Sequence, residues 1–378
     1  MNSNQRNFNL YVLFSTFARN LIEVFIPLIL FKYGYTLKEV IFYFFLANFF
    51  CLLFTRPCIS LSKKYDNKLL AYLGIIFFIG LQIMLQNMVY STNYLVALAF
   101  IFSIYRRCYW VSRRFYNLKV MTKDKNVSST YSIISIVNQL GVIFSAYIGS
   151  LLLDYISINA LTIISIIIFL ISTIFLKLLK FEHEKNDIPL RVRETIKQIP
   201  FSDLYLMASY ELLNTLKFLV TFYIFIYVKD NYQTIGILSI FTNIATLLFA
   251  YFYGKKINGN KNYLRFGIIL VCLTYFLKVN IEPMLLYIIS FLEGLFTKML
   301  EISISKEFFT LSKKFEYNNY NLVYENVFNL FRTLVLFICL FMNDLKIMIY
   351  ITILFMLLGI CFDFKYTKKN YFKEEYDE

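Results

Sequence analysis

Residues 157–180 read SINALTIISIIIFLISTIFLKLLK, and residues 181–203 that follow read FEHEKNDIPLRVRETIKQIPFSD. Up to Leu179 the first stretch carries a single charge, Lys177, where a membrane-spanning helix needs about 20 mostly apolar residues. The second mixes both charge signs with Pro189 and Pro200, cannot cross a bilayer, and reads as a polar linker. Working outward, apolar stretches of spanning length recur at 9–32, 38–60, 69–88, 92–112 and 130–154 before the linker. After it they recur at 204–228, 234–254, 263–279, 282–303, 321–342 and 345–363. The expectation is an all-α membrane protein of twelve transmembrane helices in two six-helix bundles, 1–180 and 204–378, joined by a cytoplasmic linker at 181–203.

Composition supports the same class. Hydrophobic residues make up 59% of the chain and charged residues 16%, against roughly 45–50% and about 25% for soluble domains. Transmembrane strands would show alternating segments of about ten residues, and none dominates. The polar N-terminus runs into a long apolar segment without a small-residue cleavage site, so the first helix is expected to be retained. The six cysteines (51, 58, 108, 272, 339 and 361) fall inside apolar helices without paired spacing and are read as packing residues rather than metal ligands or disulfides. His183, the only histidine, lies in the linker, so no intramembrane histidine relay is available. No phosphate-loop sequence occurs, and no cofactor or metal is expected.

A net charge of +14 raises the question of nucleic acid, but placement answers it. With the N-terminus inside, 26 of the 38 Lys and Arg residues fall in inner segments and five (Lys32, Lys38, Lys229, Lys278, Lys346) in outer ones. The positive-inside rule then places both termini in the cytoplasm and the chain in the cell membrane, its basic excess facing anionic headgroups rather than nucleic acid.

The halves echo each other at an offset of 192 residues: Ser62-Lys63-Lys64-Tyr65-Asp66 matches Gly254-Lys255-Lys256-Ile257-Asn258, and Arg106 falls on Lys298. At nearly the same shift Asn138 meets Asn329. Parallel halves of six helices are one architecture of secondary transporters. Over essentially its whole length the chain resembles the major facilitator superfamily. The loop at 61–68 is similar to that family's glycine, aspartate and basic loop, with Lys63 in place of the usual aspartate and Asp66 in place of the second glycine. The resemblance implies gating roles for Lys63, Lys64, Asp66, Lys255 and Lys256. Helix 5 carries Gly141, Ser145 and Gly149, a small-residue stripe that permits close helix approach and occupies the place of the family's antiporter pattern, without its proline.

Ionisable groups inside the helices are the most informative feature, because each costs about 2.5–3.5 kcal/mol on insertion scales and tends to mark a cavity or a partner. Helix 1 carries Arg19 and Glu23, helix 4 Arg106 and Arg107, helix 7 Glu211 and Lys217, helix 10 Glu293, Lys298 and Glu301, and helix 11 Glu325 and Arg332. The resemblance implies that helices 1, 4, 7 and 10 line a central cavity. Arg19 and Glu23 are spaced to pair along one face, and Glu325 with Arg332 reads as an internal pair on helix 11. Arg113 and Arg114, nearer the inner end, suit gating or snorkelling. Trp110 and Tyr109 either stack on a substrate or anchor the membrane boundary. Glu23, Glu211 and Glu293 are the proton-coupling candidates. Arg19, Arg106, Arg107, Trp110, Lys217, Lys298, Glu325 and Arg332 are candidates for substrate contacts or ion pairs, and static pairing stays open for each.

The function expected is a secondary active transporter, coupled to protons and exporting a small molecule, with one chain enclosing the path. A dedicated exporter of a peptide-like antimicrobial and a flippase for lipid-linked glycans are the alternatives. An enzyme acting on lipids is less favoured, because the outer loops are short and lack clustered His, Asp or Cys.

Overall fold

The computed structural model describes residues 3–122, 127–181, 190, 192–228, 231–253, 261–314 and 317–374, and the described residues are almost entirely helical. The first span is α1 (Ser3–Glu23) followed by α2 (Ile26–Lys32). The sequence suggests one continuous helix over 9–32, but the structure breaks it at Val24 and Phe25. Pro27 has no backbone N–H and its ring opposes the carbonyl four residues back, that of Glu23. Phe25 instead donates to the Ile22 carbonyl at 2.9 Å.

The first half continues with α3 (Leu37–Lys64), α4 (Asn67–Gln86), α5 (Thr92–Thr122), α6 (Val127–Tyr155) and α7 (Ile158–Lys177). Local sequence explains the starts. Thr36 and Glu39 form a reciprocal capping box at α3, Asp66 accepts from the Lys68 N–H to start α4, and Ser157 accepts from Ala160 at α7. A short helix α8 (Val192–Gln198) lies in the linker region. The second half holds α9 (Phe201–Tyr227), α10 (Tyr232–Tyr253), α11 (Lys261–Asn280), a 3-10 turn at Pro283–Leu285, α12 (Leu286–Lys314), α13 (Tyr317–Leu340) and α14 (Leu345–Glu374).

Among the described residues, nine spans are long and apolar enough to cross a membrane, α1 with α2 counting as one. The other three long helices explain themselves by composition. Glu211, Asn214 and Lys217 dilute α9, Glu293, Lys298 and Glu301 dilute α12, and the apolar part of α14 is confined to Leu345–Cys361.

Two faces of the bundle follow from the connections. On one, the linker face, Asn4 Nδ2 donates to the Lys180 carbonyl at 2.7 Å and Lys68 Nζ reaches the Lys177 carbonyl at 3.4 Å, which gathers the N-terminus, the α3–α4 turn and the end of α7. On the far face, Tyr35 donates to the Val89 carbonyl at 2.8 Å, and the Asp154 carboxylate accepts from the Gln233 N–H at 2.8 Å across the two halves.

In the first half α1 packs on α6 and α7, α4 on α5 and α7, and α3 on α5. In the second α9 packs on α14 and α13, and α12 on α10 and α11. The halves join chiefly where α6 meets α10 and where α3 meets α13. Outer helices show lipid-compatible surface: Ile163, Ile167, Leu170, Ile171 and Ile174 of α7 are all exposed on one face.

In lipid, helices associate through close packing, so small residues fix the tightest crossings. A Cβ placed on Gly141 would come within 3.0 Å of the Leu13 carbonyl oxygen, and one on Gly149 would run into that of Leu21. The Gly141, Ser145 and Gly149 stripe is therefore the seat of α1 on α6. In the second half Gly294 of α12 stands equally close to the Thr242 carbonyl of α10. By contrast, a Cβ on Gly80 meets nothing nearer than Ile101 at 4.0 Å. Gly149→Val should thus lower the thermal stability of the purified protein, on the scale of the roughly 1–3 kcal/mol typical of overpacking, whereas Gly80→Val should melt close to the parent. Equal melting of the two variants in a detergent thermal-unfolding assay would refute this account of the α1–α6 contact.

Candidate functional site

Between the halves lies a cavity of about 610 Å³. Its wall is built by α1, α3, α5 and α6 from one side and α9, α10, α12 and α13 from the other, with Tyr275 and Lys278 reaching in from α11. None of its described lining residues belongs to α4, α7 or α14. The helices rich in ionisable groups are the ones that turn inward, as their cost in hydrocarbon requires.

On the α1 wall, Glu23 lies 3.5 Å from Arg19 and accepts a hydrogen bond from the Tyr105 hydroxyl at 2.6 Å. The Arg19 guanidinium sits over Tyr109 and Trp110, 5.0 and 4.7 Å from the ring centroids. Arg113 approaches the same indole at 5.1 Å and donates to the Tyr109 hydroxyl at 2.7 Å, Thr16 at 3.1 Å and Asn138 at 2.6 Å. Trp110 is accordingly a cavity residue flanked by two guanidiniums, and the membrane-boundary reading of it is corrected. Arg113 is buried among neutral acceptors rather than snorkelling. Arg106 lines the cavity with its guanidinium 6.0 Å from the Phe102 ring.

On the opposite wall, Arg332 donates to the backbone carbonyl of Glu211 at 3.0 Å and pairs with its carboxylate, which also accepts from Asn214 at 3.2 Å. Glu293 is buried and held by Lys278 and the Tyr275 hydroxyl of α11, with Lys217 also acting on its charge. Lys278 is the functional-site residue that the sequence reading misplaced. It falls at the end of an apolar helix and was assigned to an outer loop, yet it is buried against Glu293. Glu293, a carboxylate set in the apolar N-terminal part of α12, is the signal that a cation is near.

Glu325 is the junction of the halves. Its carboxylate pairs with both Arg107 and Arg114 of α5, and Arg114 also donates to Asn321 at 3.2 Å. The expected Glu325–Arg332 pair on one helix is corrected, because each of the two reaches a different helix instead. Lys298 is likewise relocated. It is fully buried, pairs with Glu301 at 2.9 Å, and is absent from the cavity wall, so it does not mirror Arg106. Nor do Asn138 and Asn329 share surroundings: the former serves Arg113 and Thr16, the latter its own helix at Glu325.

On the far face the halves meet through aromatic rings. Phe31 and Phe222 lie 5.3 Å apart, Phe25 and Tyr232 5.8 Å, and Lys32 sits 4.3 Å from the Tyr232 centroid. At the linker face Lys63 and Lys64 end α3, where cations suit the helix dipole, and Asp66 caps α4. Lys255 and Lys256 lie outside the described residues.

The sequence profile of the Major Facilitator Superfamily matches residues 8–297, from the first span into α12. A search of curated proteins gives no match.

Because Glu325 answers two buried guanidiniums, Glu325→Gln should cost about 3–5 kcal/mol, the usual consequence of stranding a buried charge. Arg114→Gln should cost less, since it leaves the Arg107–Glu325 pair in place. Melting curves of the two variants and of the double variant test this. Equal stability of Glu325→Gln and the parent protein would show that these pairs do not hold the halves together.

Proposed function

This chain belongs to the major facilitator superfamily of membrane transporters, and from that premise we propose that it exports a small solute by alternating access of its central cavity, coupled to protons. In this reading residues 1–180 and 204–378 rock as units about the cavity, and 181–203 tethers them. The linker face is cytoplasmic, as the basic residues gathered there favour, and one chain encloses the complete path. Lys63, Lys64 and Asp66 sit at the turn that such rocking would move. Outward direction rests on the small-residue stripe of α6, which stands where the family's antiporters carry theirs. No catalytic step is assigned.

The observation that carries proton coupling is the arrangement of Glu23, Glu211 and Glu293. Each faces the cavity and each meets a cation: Arg19, Arg332 or Lys278. Burial raises a carboxyl pKa and a neighbouring cation lowers it. A carboxylate whose cation is drawn away gains a proton on one side and gives it up when the pair re-forms on the other; since each pair lies within one half, the separation comes from helix shifts inside that half that accompany the rocking. Glu293 and Glu211 suit this best, because their counter-ions stand on different helices, α11 and α13. Glu23 and Arg19 share α1, so their pair survives rigid-body motion unless Tyr105 of α5 shifts.

Reconstitution into vesicles and a screen across solute classes test the transport reading. With a solute in hand, vesicles with an acidic lumen should accumulate it. Neutralising Glu293, Glu211 or Glu23 to Gln should, at one or more of these positions, abolish accumulation driven by the pH gradient while leaving exchange of labelled for unlabelled solute intact. If all three variants keep full gradient-driven accumulation, protons are not coupled through these residues.

A further inference from the structure

The ion pairs of the cavity leave a remainder of positive charge. Glu325 answers two guanidiniums at once. Glu301, which also faces the cavity, is taken by Lys298 from outside it. Among the described residues Arg113 finds only the neutral acceptors Thr16, Tyr109 and Asn138. Among the described residues Lys217 forms no ion pair within 4.0 Å, and nearby Glu293 is already held by Lys278. Arg106 is the extreme case: among the described residues no carboxylate lies within 4.0 Å of it, and the charged groups acting on it include the like-charged Arg332 and Arg107 as well as Glu23. A guanidinium beside two others, midway along a membrane-spanning helix, is costly without an anion.

Aromatic rings line the cavity that Arg106 faces. Phe102 lies one turn away on α5, and Phe44 of α3 and Phe218 of α9 approach across the halves with centroids 4.2 Å apart. All three line the same space, and its volume of about 610 Å³ lies within the usual range for small-molecule sites.

We infer that the solute carried is an organic anion, its carboxylate or phosphate group held by Arg106 and its apolar body against the aromatic side chains of the cavity. A guanidinium presents a planar fork of donors that matches both oxyanions, and the anion supplies the charge that the protein withholds. A cationic solute would instead meet three guanidiniums. The inference rests on the reading of this cavity as the transport site.

Trp110 is the chain's only tryptophan and lines the cavity, so its emission reports occupancy. The full-length protein in detergent is titrated, with excitation at the red edge of the indole band, with benzoate, phenyl phosphate, benzyl alcohol and benzylamine at constant ionic strength. Inorganic phosphate and chloride are added as competitors. Saturable responses to benzoate or phenyl phosphate are expected, with much weaker ones to the alcohol and the amine. Arg106→Gln should weaken anion binding by about tenfold or more, the usual scale for losing a charge-assisted contact, and Arg106→Lys by less. Melting curves confirm that each variant is folded, and if Arg106→Gln is not, the loss of the guanidinium fork in Arg106→Lys carries the comparison.

Equal or tighter binding of benzylamine or benzyl alcohol overturns the inference, as does the lack of a saturable response to either organic anion. It is also overturned if inorganic anions compete as well as benzoate, or if folded Arg106 variants bind unchanged. Selective anion binding without gradient-driven transport would sink the carrier reading and leave Arg106 as the anion-binding group of the cavity. Gradient-driven transport of a cation alone would do the reverse.

Discussion

An ionised side chain in the hydrocarbon region must find a counter-charge, a hydrogen-bonding cage or an aqueous space, and most of this structure can be read as the consequence. The helices with the most charge turn inward, and their charges meet in pairs that cross from helix to helix: α5 to α13, α11 to α12, α13 to α9. The helices with least charge, such as α7, are left to face lipid with isoleucine and leucine. Packing then follows, with glycines allowing α1 onto α6 and α12 onto α10 so that the charged faces converge on one space.

The two walls of that space are electrostatically unlike. The first half contributes five arginines and one glutamate to the described lining, the second four glutamates and three bases. They therefore attract, and the attraction is localised at Glu325, where one carboxylate of the second half holds two guanidiniums of the first. The far face is closed differently, by rings that need no specific partner charge. A contact made of buried ion pairs is directional and expensive to break halfway, whereas one made of aromatic packing slides more readily. Two seams of such different character join the halves.

Sequence alone made the spans legible because hydrophobic length is a one-dimensional property. It failed locally at Val24 and Phe25, where a proline three residues from Val24 broke a helix that hydropathy ran through. The inward-facing set was legible too, since Glu23, Glu211, Glu293, Arg106 and Arg332 are all cavity residues. What was not legible was partnership. Spacing along one helix suggested Glu325 with Arg332, yet both found partners on other helices, a choice that depends on rotation and tilt that a sequence does not carry. Lys278 was lost for a related reason: near a helix end, a lysine that faces water and one that turns inward look the same in the sequence. Trp110 was ambiguous because aromatics serve both interfaces and cavities, and only its two flanking guanidiniums decide the matter.

The fourth helix of each half handles its cations differently. At an offset of 192 residues in the sequence Arg106 falls on Lys298, yet the structure gives the two cations different surroundings. In the second half the residue three positions on is Glu301, which neutralises Lys298 within its own helix and lets it be fully buried. In the first half the corresponding residue is Tyr109, which offers a ring and a hydroxyl but no charge, and these are occupied by Arg19 and Arg113. One cation is therefore satisfied in place and withdrawn from the cavity, while its counterpart stays exposed to it. Tyrosine against glutamate is one of the differences between the two helices that separate the fates of these cations; Arg107 and Arg113, which fall on Met299 and Ser305 at the same offset, are others.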